Sequence, residues 1–139
     1  MCGIIGQLNF HNGISKDDQR GIAVLMRLMT RRGPDDEGLW SDGKVCTMGT
    51  CRLAISDISP SGHQPMVSAD GRYVLTYNGE VYNFPELRRE LEWHGMNFRS
   101  SGDTEVVLNA LILWGTKALS RFNGMFALAF YDTGEQRLF

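Results

Sequence analysis

Apolar and polar positions change rhythm along the chain, and the changes mark its elements. Residues 2–10 are an apolar, β-branched run closed by His11-Asn12-Gly13, the pattern of a strand and its turn. Ile22, Leu25, Met26 and Met29 then recur at i, i+3, i+4 and i+7, one apolar stripe of a helix. Ser15 to Asp18 supplies capping-box spacing at its start, and Gly33-Pro34 ends it. Two strands are expected around Ser41-Asp42-Gly43-Lys44, followed by an apolar stretch from Met48 to Ser56 and a polar loop from Ser59 to Pro65.

The second half repeats the scheme. Ala69-Asp70-Gly71 is a hairpin turn leading into the strand Tyr73 to Tyr77, which runs on into Asn78-Gly79-Glu80. Asn83 is placed to cap a helix with Pro85 in its first turn and Leu87 and Leu91 inward, ending at Gly95. An extended piece over 97–100 precedes a helix that buries Val106, Val107, Ala110, Leu111 and Trp114 and stops at Gly115; residues 116–122 add a helical turn or two. Met125 to Tyr131 is apolar throughout and reads as a strand covered on both faces, with Asp132-Thr133-Gly134 turning it back into 135–139. Strand hairpins alternating with helices suggest sheets sandwiched between helical layers, an α+β class. A hairpin strand closing on Phe139 without a cap leads us to expect a domain incomplete at its C-terminus. Such a piece, made alone, is expected to be weakly stable or self-associating.

Composition narrows the function. With 14 Lys and Arg against 16 Asp and Glu, the net charge of −2 argues against electrostatic capture of nucleic acid. No apolar run is long enough for a membrane span, and no secretory leader pattern is present. Three cysteines without a C-x-x-C, and three scattered histidines, argue against a disulfide framework or a metal site and for a reducing, cytoplasmic setting.

The candidate chemistry starts at Cys2. Removal of Met1 would give the chain a thiol and a free α-amino group on one carbon, a nucleophile with its own base. The alternative is a small apolar residue opening a strand. A thiolate attacking a carbonyl needs donors where charge develops on oxygen, and Asn78-Gly79 offers a side-chain amide and an unhindered N–H. The same dipeptide is also a common hairpin turn. Arg52, a charge among the apolar Cys51, Leu53, Ala54 and Ile55, suits a substrate carboxylate, or it snorkels from an edge strand. Asp103 suits a substrate ammonium or a helix N-cap. Arg31, Arg32, Asp35 and Asp36 read as a loop-fixing cluster of ion pairs.

Seven segments in order carry a resemblance across nearly the whole chain. In the first half they are Met1-Cys2-Gly3-Ile4, Arg31-Arg32-Gly33-Pro34-Asp35, Arg52-Leu53-Ala54-Ile55-Ser56-Asp57 and Gly62-His63-Gln64-Pro65-Met66. Tyr77-Asn78-Gly79-Glu80-Val81-Tyr82-Asn83, Ser101-Gly102-Asp103-Thr104-Glu105 and Asn123-Gly124-Met125-Phe126-Ala127 complete the set. Together they resemble the N-terminal glutaminase domain of class II glutamine amidotransferases, and within that class the glutamine-hydrolysing asparagine synthetases. The related glucosamine-6-phosphate synthases carry different flanks at three of these places. Arg31 departs from the family, many of whose members have histidine there.

The resemblance implies an αββα four-layer sandwich of the N-terminal-nucleophile hydrolase type. It implies that Cys2 is the nucleophile, its amine the base, and Asn78 with Gly79 the oxyanion hole. Arg52 would bind the α-carboxylate of L-glutamine and Asp103 its α-amino group, with Glu80 and the backbone of a Leu53–Ile55 strand completing the pocket. No cofactor is implied for residues 1–139. ATP and Mg²⁺ are implied for a C-terminal synthetase domain, absent from this chain, that would pass ammonia to aspartate. Two alternatives stay open: an amidotransferase acting on another carboxylate, and a fragment without activity of its own. A homodimer is also left open.

Overall fold

The structure, a computed structural model, describes residues 2–55 and 57–139. Its first sheet is antiparallel and has three strands in the order β1-β3-β2, with β1 at Gly3–Leu8, β2 at Asp36–Ser41 and β3 at Cys46–Arg52. The second has the order β4-β5-β6-β7. It comprises β4 at Met66–Val67, β5 at Tyr73–Val81, β6 at Gly124–Asp132 and β7 at Arg137–Leu138. Helix α1, Lys16–Leu28, covers the outer face of the first sheet, while α2, Phe84–Trp93, and α3, Asp103–Trp114, cover the outer face of the second. The expected four layers, helix, sheet, sheet and helix, are therefore present.

Side-chain alternation assigns each strand residue to a layer. On β3, Cys51 faces α1 and packs with Ile22, Met26, Ile5 and Met29. A Cβ on Gly49, on that same face, would run into Met26 Sδ, so glycine lets the helix lie close. The even residues Cys46 and Met48 face inward, against Val74 of β5 and Tyr131 of β6. The odd residues of β5 face the other helices: Leu75, Tyr77 and Val81 join Leu87, Leu91, Val106 and Leu111 in the largest core.

Several local expectations are corrected. Leu25 is 46% exposed, because α1 touches its sheet along the narrower Ile22–Met26 line. The capping box is present, with Ser15 Oγ accepting from Asp18 N and Asp18 Oδ2 accepting from Ser15 N. Asn83 stands at the N-cap of α2 without capping it. Its Nδ2–H donates to Arg121 O at 3.0 Å and its Oδ1 accepts from Asn123 N at 2.9 Å, tying the helix to the start of β6. β3 stops at Arg52, so Leu53–Ile55 is not strand. Asp35 captures this stretch instead, its N–H donating to Arg52 O and its Oδ2 accepting from Ala54 N. Ser56, within the stretch expected to run from Met48, lies outside the described residues.

The expected cluster of ion pairs at 31–36 is not formed among the described residues. Arg32 Nε–H donates to Cys2 O at 3.3 Å, and Asp36 pairs with His63 at 2.8 Å, so each side chain pins a different loop. β6 is not covered on both faces along its length. Ala129 and Tyr131 are packed between the sheets, but Met125, on the same face, is 71% exposed and Ala127 is exposed too. β7 flanks only its far end, pairing with Tyr131 and Asp132, while Phe139 and Phe130 exchange two main-chain hydrogen bonds.

One buried carboxylate gives the fold a measurable acid response. Arg72 donates to both oxygens of Asp132, at 2.9 and 2.7 Å, and with N–H groups of Glu135 and Gly134 it holds that carboxyl down at about 2 against the effect of burial. A carboxylate whose folded pKa lies below its unfolded value of about 3.9 stabilises the fold above that value, and the contribution vanishes as pH falls through the folded pKa. Asp132→Asn should therefore lower Tm at pH 7 and at pH 5, with the gap to the parent closing between pH 4 and pH 2. Thermal melts across that range check it; a gap independent of pH would refute it.

Candidate active site

Between the two sheets, packing reaches only part of the way. Beyond Met48 and Tyr131 the layers diverge around a cavity of about 500 Å³. Alternation directs several of the lining residues there. Arg52 continues the inward face of β3, and Asn78 and Glu80 continue that of β5 beyond Val74 and Thr76. Met125 and Ala127 lie opposite Glu80 and Asn78 on β6. Cys2 precedes β1, where the next pairing partner would be Arg52. All eight residues singled out from the sequence, Leu53, Ile55, Gly79 and Asp103 among them, line this one cavity.

Cys2 is the one thiol that is not buried. Leu53 N–H donates to its sulfur at 3.4 Å and Arg32 to its carbonyl, so the residue is held from both sides. Burial, with Asp42 adding to it, pushes the Cys46 thiol up to about 12. Burial, then Glu37 and Cys2, raises Cys51 as well, so neither competes as a nucleophile.

Asn78-Gly79 is not a turn, since both residues lie inside β5, opposite Ala127 and Phe126. Tyr82 N–H donates to Asn123 O, so the even residues of β5 exchange hydrogen bonds with β6 and the odd ones direct theirs to the other edge. On that edge Tyr77 N–H donates to Gln64 Oε1 at 2.7 Å and Val81 N–H to Asp103 Oδ2 at 3.0 Å. Gly79 N–H lies between them and has no such side-chain acceptor among the described residues. A Cβ at Gly79 would meet Met125 O and Phe126 Cβ, which accounts for glycine there.

The two charges stand on either side. Arg52 is 8% exposed, and its guanidinium donates to Ser59 O at 3.2 Å and to Asp57 O. Among the described residues no carboxylate pairs with it, so a buried positive charge faces the cavity without an anion. The N-cap of α3 is Gly102, not Asp103, which is the first helical residue and is 6% exposed. Its Oδ2 accepts from Tyr77 OH at 2.7 Å as well as from Val81 N. Burial and the Asp103 carboxylate raise the Tyr77 phenol far above its usual range, so it stays protonated and donates.

The sequence reading assigned no role to Gln64, Tyr77 or Asp57, although each lies within a segment that carried the resemblance. Among the described residues no group of three or more His, Cys, Asp or Glu is placed to hold a metal ion, and no helix is long and apolar enough to cross a membrane.

The family described as "Glutamine amidotransferase domain" matches residues 1–139. The chain belongs to that family. Among relatives of this amidotransferase domain, a putative glutamine-hydrolysing asparagine synthetase of Mycobacterium tuberculosis is 42% identical over 100% of this chain and 23% of its own length. Asparagine synthetase 3 of Bacillus subtilis is 37% identical over 100% of this chain and 22% of its own. The enzyme of Asparagus officinalis is 38% identical over 96% of this chain and 22% of its own. The chain thus spans less than a quarter of the length of these relatives. Glutamine phosphoribosylpyrophosphate amidotransferase from B. subtilis, solved with ADP and GMP, superposes with a TM-score of 0.52 at 27% identity, over 65% of this chain and 21% of that one. The amidotransferase domain therefore has the fold of the N-terminal-nucleophile amidotransferases.

Proposed function

We propose that this domain hydrolyses L-glutamine to glutamate and ammonia through a thioester on Cys2. The observation that carries the reading is one cavity in which an accessible thiol, a strand N–H and a buried arginine that have no acceptor side chain and no carboxylate partner among the described residues, and a buried aspartate all converge. Once Met1, which lies outside the described residues, is removed, the α-amine of Cys2 takes the thiol proton. The sulfur bonds to the side-chain carbonyl carbon of glutamine, while the Asn78 amide and Gly79 N–H receive the developing charge on oxygen. The carbon–nitrogen bond breaks, the proton leaves with ammonia, and water then cleaves the thioester to glutamate.

Arg52 holds the α-carboxylate and Asp103 the α-ammonium. Leu53 and Ile55 wall the pocket, and Glu80 completes its polar side. In the longer protein, ammonia would pass to a C-terminal synthetase domain that uses ATP and Mg²⁺ to amidate aspartate, a reading supported by the relatives' name, glutamine-hydrolysing asparagine synthetase. Peptide mapping after acid quench during turnover tests the chemistry. The expected glutamyl adduct lies on a peptide beginning at Cys2, with Cys46 and Cys51 unmodified. Turnover by protein that retains Met1 would overturn the reading.

A further inference from the structure

Arg52 and Asp103 come from different elements, the end of β3 and the start of α3, yet both must meet one small zwitterion. We infer that Asp57 is the positioning residue that sets the spacing between them, and so adjusts the site to an α-amino acid. The inference rests on the reading of Arg52 and Asp103 given above.

Asp57 is 8% exposed and both its oxygens are committed. Oδ1 accepts from Ser59 N at 2.8 Å, shaping the loop whose carbonyls hold Arg52. Oδ2 accepts from Ser101 N at 3.0 Å, two residues before Asp103. Its own carbonyl takes the second Arg52 donor. One residue therefore touches the guanidinium directly and the segment leading to the aspartate directly. The two segments are also in close contact, since a Cβ on Gly102 would stand 3.0 Å from Asp57 Cβ. With both oxygens facing N–H donors, Asp57 is a bracket and not itself the ammonium acceptor. The Ser59 hydroxyl, with N–H groups of Ser59 and Ser101, holds its carboxyl down at about 2, so the bracket stays ionised at any working pH. Asparagine in its place would turn an NH₂ group toward one of the two donors and release that side.

The test uses the full-length protein carrying Cys2→Ala, so that ligands bind without turnover, and measures Kd calorimetrically. The ligands are L-glutamine, glutaramate, which lacks the α-ammonium, and 4-aminobutanamide, which lacks the α-carboxylate. Each truncated ligand is expected to bind the Cys2→Ala protein at least about 10-fold more weakly than glutamine. Adding Asp57→Asn should weaken glutamine about 10-fold or more, as misplacement on the ångström scale does, while both truncation penalties shrink together. Gly102→Ala is the second variant. It keeps the carboxylate and pushes the segments apart by a few tenths of an ångström, so it should move both penalties in the same direction by less, and it decides the matter if Asp57→Asn does not fold. Unchanged glutamine affinity, or lost affinity with both penalties intact, would overturn the role of Asp57. Truncated ligands that bind the Cys2→Ala protein as tightly as glutamine would instead overturn the reading of Arg52 and Asp103, and this inference with it.

Discussion

Cys2→Ala in the full-length protein is expected to reduce glutamine-dependent amidation by at least roughly 10³-fold, because removing the nucleophile of a concerted constellation costs nearly all that the constellation supplies. Synthesis from added ammonium should survive, since ammonia enters the proposed reaction after the glutaminase step. The structure makes the variant a clean one. Cys2 precedes β1, and its side chain and carbonyl hydrogen-bond within the described residues to the Leu53 main chain at sulfur and to Arg32 at the carbonyl, the latter unaffected by the change. Parallel assays with glutamine and with ammonium, and a thermal melt to show an unchanged fold, make the measurement. Loss of both activities in a folded protein would remove Cys2 from its assigned place.

Arg52→Ala is expected to raise KM for glutamine by roughly 30- to 1000-fold, the equivalent of about 2–4 kcal/mol for losing a buried, charge-assisted contact, with kcat changing much less. The side chain does two things at once. It presents a positive charge to the cavity and it holds Ser59 O and Asp57 O, so part of the loss comes through the loop. Arg52→Lys separates the two contributions. A single ammonium can satisfy one carbonyl but cannot reproduce the planar fork, so it should recover little of the affinity. Steady-state kinetics with both variants provide the check, and wild-type KM in Arg52→Ala would count decisively against the assignment.

Much of this arrangement was readable from the chain, for reasons that differ by residue. The strands and helices were legible where period and punctuation agreed, as at Ser15 to Asp18 or at Asp42-Gly43. The layer of each strand residue was not, because alternation reveals two faces without saying what covers them. Leu25 has the right spacing for burial, but nothing in the sequence tells how wide a strip of α1 its sheet will touch. Met125 to Tyr131 is apolar at every position, and only the geometry shows that one face is packed at Tyr131 and uncovered at Met125. Asn78-Gly79 is the sharpest case. Locally it signals a turn, and long-range pairing with Ala127 and Phe126 overrides that preference.

Cys2, Arg52, Asp103 and Asn78-Gly79 were candidates by chemistry that a short polar motif advertises, a lone charge in an apolar run or a thiol near the start of the chain, whereas Glu80, Leu53 and Ile55 came only from the resemblance. The supporting residues were missed because their role is relational. Tyr77 is an ordinary strand tyrosine until Asp103 lies 2.7 Å from its hydroxyl, and Asp57 is an ordinary loop aspartate until Ser101 approaches it. Even the aspartate expected to cap α3 makes the point. The helix begins one residue earlier than a cap at Asp103 would require, and the freed carboxylate turns to the strand edge.

The sheets pack over only part of their length, and this has a consequence for how the domain tolerates change. Asn78, Glu80, Ala127 and Met125 extend past the last contact with the first sheet, so their side chains support no packed layer. Substitution there alters what the cavity holds while leaving Met48, Val74 and Tyr131 as they were. Tyr77 and Asp103 are different, since both are buried and belong to the helix-side packing as well. A population of variants should therefore show two classes at this one site, with changes at the overhanging positions felt in what the cavity does and changes at the embedded ones felt in stability as well.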